Sequence, residues 1–349
     1  MLVFGAGGEL GARVCRLVAG VAGTEVLGAS RSARGLAGVP MQRADVRDGA
    51  SVARLIAMGD LVVNCVGPFH YEPTPLVAAC IAARAHYCDL ADDVAFAERV
   101  REAAVAHGAR AAGVFVCTGA STVPGTLGVL ARAFERSPRA AEIARISAYL
   151  SVGARNPVSA GLLASLLAPL GREAPGGARW FYELRALRTQ GGRTLRFGSY
   201  PAAFTGGSVA LAERRVPARF FFGFDRAALT ALLRLVAPAL GRLPARNVAA
   251  LARGLLPFAS ALRAFGTPHG LVALIAEDAA GRELARIEFA ASERGLDIPA
   301  APPAWLAARL ARGEALPCGA LELAELVEPS DVLGWLRSRR EYTLEGVPD

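Results

Sequence analysis

Four glycines stand at positions 5, 7, 8 and 11 of Gly5-Ala-Gly-Gly-Glu-Leu-Gly11, directly after the short apolar run Leu2-Val-Phe4. After them Leu10, Val14, Leu17, Val18 and Val21 recur at helical spacing,. A glycine turn between a strand and a helix has a definite chemical use. Gly5 allows a tight turn, and Gly7 and Gly8 let a pyrophosphate reach the backbone. Gly11 lets the helix lie close to the sheet, and the helix N-terminus offers free N–H groups and partial positive charge. Gly5, Gly7, Gly8, Glu9, Leu10 and Gly11 are therefore the expected phosphate-binding residues.

The end of the second expected strand, Glu25-Val-Leu-Gly-Ala29, indicates which dinucleotide. A carboxylate there would accept from a ribose 2′-hydroxyl, but this chain has Ser30-Arg31,. An arginine fork pairs with a 2′-phosphate and a serine can donate to it, so NADP(H) is the expected cofactor. Asp45 and Val46, after the third strand, are placed to border the adenine. Asn64, Val66, Gly67 and Pro68, after the fourth, are placed beside the nicotinamide ribose. Gly119-Ala-Ser-Thr-Val-Pro-Gly125 forms a further turn, with Pro124 suited to a first helical turn and Thr122 to a cap.

Hydride transfer needs positioning and at most one proton donor. Tyr87, Asp92, Ser121 and His269 are the catalytic candidates, with Asp89, Arg155 and Asn156 near them in the reading. The pair Asp92-Asp93 also suits a helix cap. Among the six cysteines and four histidines there is no cluster at metal-ligand spacing, so no metal is expected,.

The elements that must position these residues alternate. Strands at 2–4, 25–29, 41–44, 61–66, 87–90 and 114–117 are separated by helices at 9–19, 51–58, 76–85 and 94–107. This order predicts an α/β fold, a Rossmann-type doubly wound parallel sheet, over residues 1–130. Beyond it the rhythm changes. Strands over 143–152, 180–187, 194–199, 270–276 and 283–290, the last two joined at Asp278-Ala-Ala-Gly281, predict a second α+β domain at 131–304 with a mainly antiparallel sheet. This domain would carry the substrate or dimerisation surface and an apolar helical insert at 225–265. The segment 305–349, with a helix at 331–339, is expected to pack back on the first domain.

The formal charge of +8 invites a nucleic-acid reading, but all 39 basic residues are arginines, and they are scattered,. Nucleic acid is not an expected partner. The absence of lysine closes every mechanism needing a Schiff-base or relay lysine,. Cysteines inside apolar runs read as reduced core thiols, and no leader precedes the first strand, so the expected setting is cytoplasmic. No uninterrupted apolar stretch reaches membrane-spanning length. The region 227–265 comes closest, but five arginines interrupt it,. It reads first as core or subunit interface, which leaves a homodimer open, and second as an apolar or membrane-contacting face.

Gly5–Gly11, Val62-Val-Asn-Cys-Val-Gly-Pro-Phe69, His86-Tyr-Cys-Asp-Leu-Ala-Asp92 and Gly119–Gly125, in that order, resemble the saccharopine dehydrogenase-like oxidoreductases, in the branch found in bacteria. The resemblance covers about the first 130 residues. It implies a Rossmann domain, NADP as cofactor, and a cleft between two domains; it does not imply saccharopine as substrate. The expected activity is NADP(H)-dependent hydride transfer to a small or acyl-type substrate, an apolar one included. The alternative is a non-catalytic nucleotide-binding module for redox sensing or partner binding, with a membrane-peripheral setting left open.

Overall fold

The computed structural model describes residues 1–32 and 35–347. The chain forms two compact units, Met1–Val129 with Leu296–Val332, and Leu130–Gly295 with Leu333–Asp349. The C-terminal stretch expected to return to the first domain is thus divided, and the return begins nearer 296 than 305.

In the first unit β1 (Leu2–Phe4), β2 (Leu27–Ser30), β3 (Met41–Arg43), β4 (Leu61–Asn64), β5 (His86–Asp89) and β6 (Phe115–Cys117) form a parallel sheet in the order β3-β2-β1-β4-β5-β6, extended beside β6 by Gly319–Leu321. β1, β4 and β6 are buried throughout, because helices cover both faces and every side chain on a central strand meets protein. Strand order reverses between β1 and β4, and at such a switch point an open α/β sheet leaves a crevice at its carboxyl edge. Phe4, Asn64 and Asp89 lie in register there across three adjacent strands.

Helix Glu9–Ala19 follows the glycine loop and buries Gly11, Val14, Cys15 and Val18. Its Arg13 bridges Glu9 and Asp297, each at 2.7 Å, and so ties the returning segment to the helix. Asp93 caps helix Val94–Ala106 by accepting from Phe96 N–H at 2.7 Å. Thr122, expected as a cap, instead opens the irregular turn Thr122–Thr126, which no side chain caps.

The second unit is built on a mixed, curled sheet. Its strands are β7 (Arg145–Val152), β8 (Leu184–Arg188), β9 (Thr194–Tyr200), β10 (Ser208–Leu211), β11 (Arg214–Phe224), β12 (Gly270–Glu277) and β13 (Glu283–Ala291). With Tyr342–Glu345 added beside β13 the order is β13-β12-β7-β11-β9-β8, and β10 pairs with β11. Pairing is antiparallel except between β7 and β11. The curl brings the β8–β9 turn against β13: Gln190 N–H donates to Glu288 Oε1 at 3.0 Å, and Arg286 donates to the Arg188 carbonyl at 2.8 Å. Tyr149, Leu187, Leu195, Phe197, Phe221, Ala273 and Ile275 fill the concave side.

β11 had no counterpart among the expected strands. Arg214-Arg-Val-Pro-Ala-Arg does not alternate, and Pro217 breaks the pattern. The proline is tolerated because it faces Ser208 of edge strand β10, and the ladder with β7 begins only at Ala218,. The expected strand at Trp180 starts instead at Leu184, because Phe181 takes a left-handed φ of 68° in a turn.

Candidate active site

The glycine turn is held by its neighbours. Gly5 N–H donates to the Ala29 carbonyl at 2.8 Å, and Cys65 N–H donates to the Phe4 carbonyl at 2.9 Å. Gly5 has φ +79°, and a Cβ there would lie 2.7 Å from the Cys65 carbonyl oxygen. A Cβ on Gly11 would lie 2.2 Å from the Gly5 carbonyl oxygen. Both glycines are demanded by backbone packing. Gly7 and Gly8 are different. Both are exposed, and the nearest atom to a Cβ on Gly7 would be the Ser30 hydroxyl at 3.1 Å.

This cradle fits the phosphates of a dinucleotide. Gly8 is the N-cap of helix Glu9–Ala19 and has no side chain to cap it, so the first-turn N–H groups of Glu9, Leu10 and Gly11 are left for an external acceptor. The Glu9 carboxylate does not compete for them, because Arg13 holds it. The Ser30 hydroxyl, next to Gly7, is a buried oxygen with no partner among the described residues. Arg31 follows it and is exposed. Asp45 accepts from Arg47 N–H at 3.1 Å, so its carboxylate serves its own turn at the end of β3. Val46 is half-buried beside it.

Past β4 the turn is organised by a buried amide. Asn64, fully buried, donates to the Tyr87 hydroxyl at 3.0 Å and to the Tyr71 hydroxyl at 2.8 Å. Its Oδ1 accepts from Val66 N–H at 3.1 Å, fixing the backbone that leads into Gly67 and Pro68. Tyr87 donates onward to Asp89 at 3.1 Å. The other Asp89 oxygen accepts from Ala91 N–H at 3.0 Å, Gly119 N–H at 2.9 Å and the Thr118 hydroxyl at 2.9 Å. Burial pushes the Asp89 carboxyl up from its ordinary value, against these four donors. It also pushes the Tyr71 and Tyr87 hydroxyls up,. The network braces the ends of β4, β5 and β6 together.

Tyr87 and Asp89 are fully buried within this brace and face no open space. Central strands of the sheet enclose them, so they position the turns and do not meet a substrate. Asp92 is exposed, and Ser121 is half-buried in the turn after β6, where its carbonyl accepts from Thr126 N–H at 2.8 Å. His269, Arg155 and Asn156 belong to the second unit. There His269 is exposed at the rim of a hollow also lined by Ser151, Asp225 and Glu288. Asn156 is turned back on the Gly153 carbonyl at 2.9 Å. Tyr71 was not among the sequence candidates. Its signal was its place in the aromatic stretch Pro68-Phe-His-Tyr-Glu-Pro73 just after β4, but only the fold brings its hydroxyl to Asn64. No group of three or more potential metal ligands exists among the described residues.

Sheet order, switch point and glycine cradle together define a dinucleotide-binding Rossmann domain. Residues 1–117, the first third of the chain, match the model of the saccharopine dehydrogenase NADP binding domain. A probable mitochondrial saccharopine dehydrogenase-like oxidoreductase of Arabidopsis thaliana is 34% identical over 117 residues, which cover 33% of this chain and 25% of the relative. The chain thus matches about a quarter of that protein's length. The apo saccharopine dehydrogenase (L-Glu forming) of Saccharomyces cerevisiae superposes with TM-score 0.58 at 12% identity, over 99% of both chains. This shared fold extends through the second unit.

Proposed function

We propose that this protein is an NADP(H)-dependent oxidoreductase that transfers a hydride to or from a small-molecule or acyl-type substrate. The observation that carries the reading is the cradle itself: an uncapped helix N-terminus, two exposed glycines and an unpartnered Ser30 hydroxyl, inside a matched NADP-binding domain. The backbone N–H groups of Glu9 to Gly11 would hold the pyrophosphate. Ser30 and Arg31 would read the 2′-phosphate. Asn64, through Val66, sets the turn against which the nicotinamide ribose would rest. When bound, the cofactor supplies or accepts the hydride. The chain's own part is to orient it and to fix the turns after β4 and β6 through Asn64, Tyr87 and Asp89.

Thermal unfolding with each cofactor is the test. NADPH should raise Tm more than NADH. Arg31→Asp should remove most of that preference, because a carboxylate repels the 2′-phosphate and accepts from a 2′-hydroxyl. Equal losses for the two cofactors would show that Arg31 does not read the phosphate. Stabilisation by NADPH without oxidation of it on imines, enoyl thioesters or aldehydes would favour the non-catalytic module.

A further inference from the structure

Between Arg226 and Ala276 the chain has six arginines and no aspartate or glutamate. Most of this stretch folds into two successive helices of the second unit, Ala227–Leu240 and Ala245–Leu262. The first buries Thr230, Ala237 and Leu240. Its exposed face is Ala227, Ala228, Ala231, Leu232, Leu235 and Ala239, with no polar side chain among them. The second helix and the turn after it present Leu255, Phe258 and Phe265, and among the described residues of the helix only Val248 and Ala252 are fully buried. Leu235 and Phe265 are each 74% exposed and Phe258 58%. Five of the eight large apolar side chains exposed among the described residues lie in this one stretch of chain, and apolar surface concentrated in this way marks an interaction site.

By length and composition Asn247–Phe265 could cross a bilayer, and 11% of it is buried. Its surroundings argue for lying on a surface instead. The segment contains Arg253, Pro257 and Arg263, and it packs on helix Ala160–Leu167. The turn joining the two helices is pinned as well. Arg172 donates to the Leu243 carbonyl at 2.9 Å, and Gly171 sits so close that a Cβ there would lie 1.9 Å from the Ala237 carbonyl oxygen. The apolar faces are therefore held outward by a fixed scaffold.

We infer that this helical pair docks the protein on an anionic lipid bilayer, with Leu232, Leu235, Phe258 and Phe265 entering the interface and the exposed Arg242 and Arg253 facing lipid phosphates. Charge selects this occupant over a second copy of the chain. In a two-fold interface the same face meets itself, which would set arginines against arginines, and the stretch 226–276 brings no acid of its own to offset them. Anionic headgroups complement the face, and apolar insertion flanked by arginine is how interfacial helices bind.

The test is co-sedimentation of the full chain with phosphatidylcholine vesicles, with and without phosphatidylglycerol. Binding should require the anionic lipid and weaken with salt. Leu235→Glu with Phe258→Glu should abolish it, and Arg242→Gln or Arg253→Gln should each weaken it about five-fold. All four residues are exposed, so circular dichroism and Tm should stay unchanged. If a variant misfolds, Leu235→Trp offers a second reading: its emission should shift to the blue on mixed vesicles only. Failure to bind mixed vesicles, or equal binding to both kinds, overturns the proposal. So does a vesicle-free dimer that Leu235→Glu converts to monomer, since the face would then belong to a second copy.

Discussion

Gly7→Ala and Gly11→Ala are the same chemical change four residues apart, and the structure assigns them opposite consequences. At Gly11 the added methyl would lie 2.2 Å from the Gly5 carbonyl oxygen and 2.7 Å from its carbon. Neither is the end of a flexible side chain, so the turn or the helix must move. Overpacking of this kind costs about 1–3 kcal/mol, and contact with backbone places it near the top of that range. Alanine's better helix propensity returns at most about 1 kcal/mol, so a net loss of about 2 kcal/mol is expected in the protein without cofactor. At Gly7 the methyl would meet the Ser30 hydroxyl at 3.1 Å, which can rotate away, and the Ser30 Cβ at 3.4 Å, an ordinary van der Waals contact. Stability should change by less than about 0.5 kcal/mol. The same methyl stands where a phosphate oxygen must approach the backbone. Losing one charge-assisted hydrogen bond costs about 1.5 kcal/mol or more, a rise in Kd of roughly ten-fold or greater. Denaturant unfolding without cofactor and calorimetric titration with NADPH separate the two effects. Wild-type affinity in Gly7→Ala, or wild-type stability in Gly11→Ala, would refute this division of roles.

Two other predictions concern the interior of the first unit. Asp89→Ala strands the Ala91 and Gly119 N–H groups, both paired to one carboxylate oxygen. At about 1–3 kcal/mol each, it should lower unfolding stability by at least about 2 kcal/mol, and a smaller loss would mean that water or a shifted turn replaces the carboxylate. His86 stacks on Phe115 with ring centroids 4.2 Å apart and accepts from its N–H through Nδ1, an interaction only the neutral ring can make. Burial holds its pKa below the ordinary histidine value. Below pH about 6.5 the unfolded chain therefore takes up a proton that the folded chain resists, and stability should fall as the pH drops through that value. His86→Leu should flatten this part of the stability–pH profile; an unchanged slope would assign it to other groups.

Much of the first unit was legible because its signals are local. Continuous apolar runs marked strands covered on both faces, the glycine spacing marked the turn, and the Asp93 cap stood where a capping acid should. The second unit was less legible. β11 carries a proline and paired arginines that make sense only beside β10, and Gly319–Leu321 is too short for any period to register. Tyr71 and Tyr87 show how the site divides. Each is an aromatic near the end of a strand, and no pattern tells which hydroxyl is enclosed.

The sequence by itself determined that a phosphate-binding turn opens the chain and that the charge near Ser30 and Arg31 favours NADP. Both follow from residue type and spacing along a few consecutive positions. Only the tertiary structure decided that Gly5 and Gly11 serve packing while Gly7 and Gly8 face outward. It alone showed that Tyr87 and Asp89 are braces, and that the arginine-rich helices turn their apolar side outward. Those outcomes depend on which backbone lies against which, and contacts between residues far apart in the chain leave no period to read.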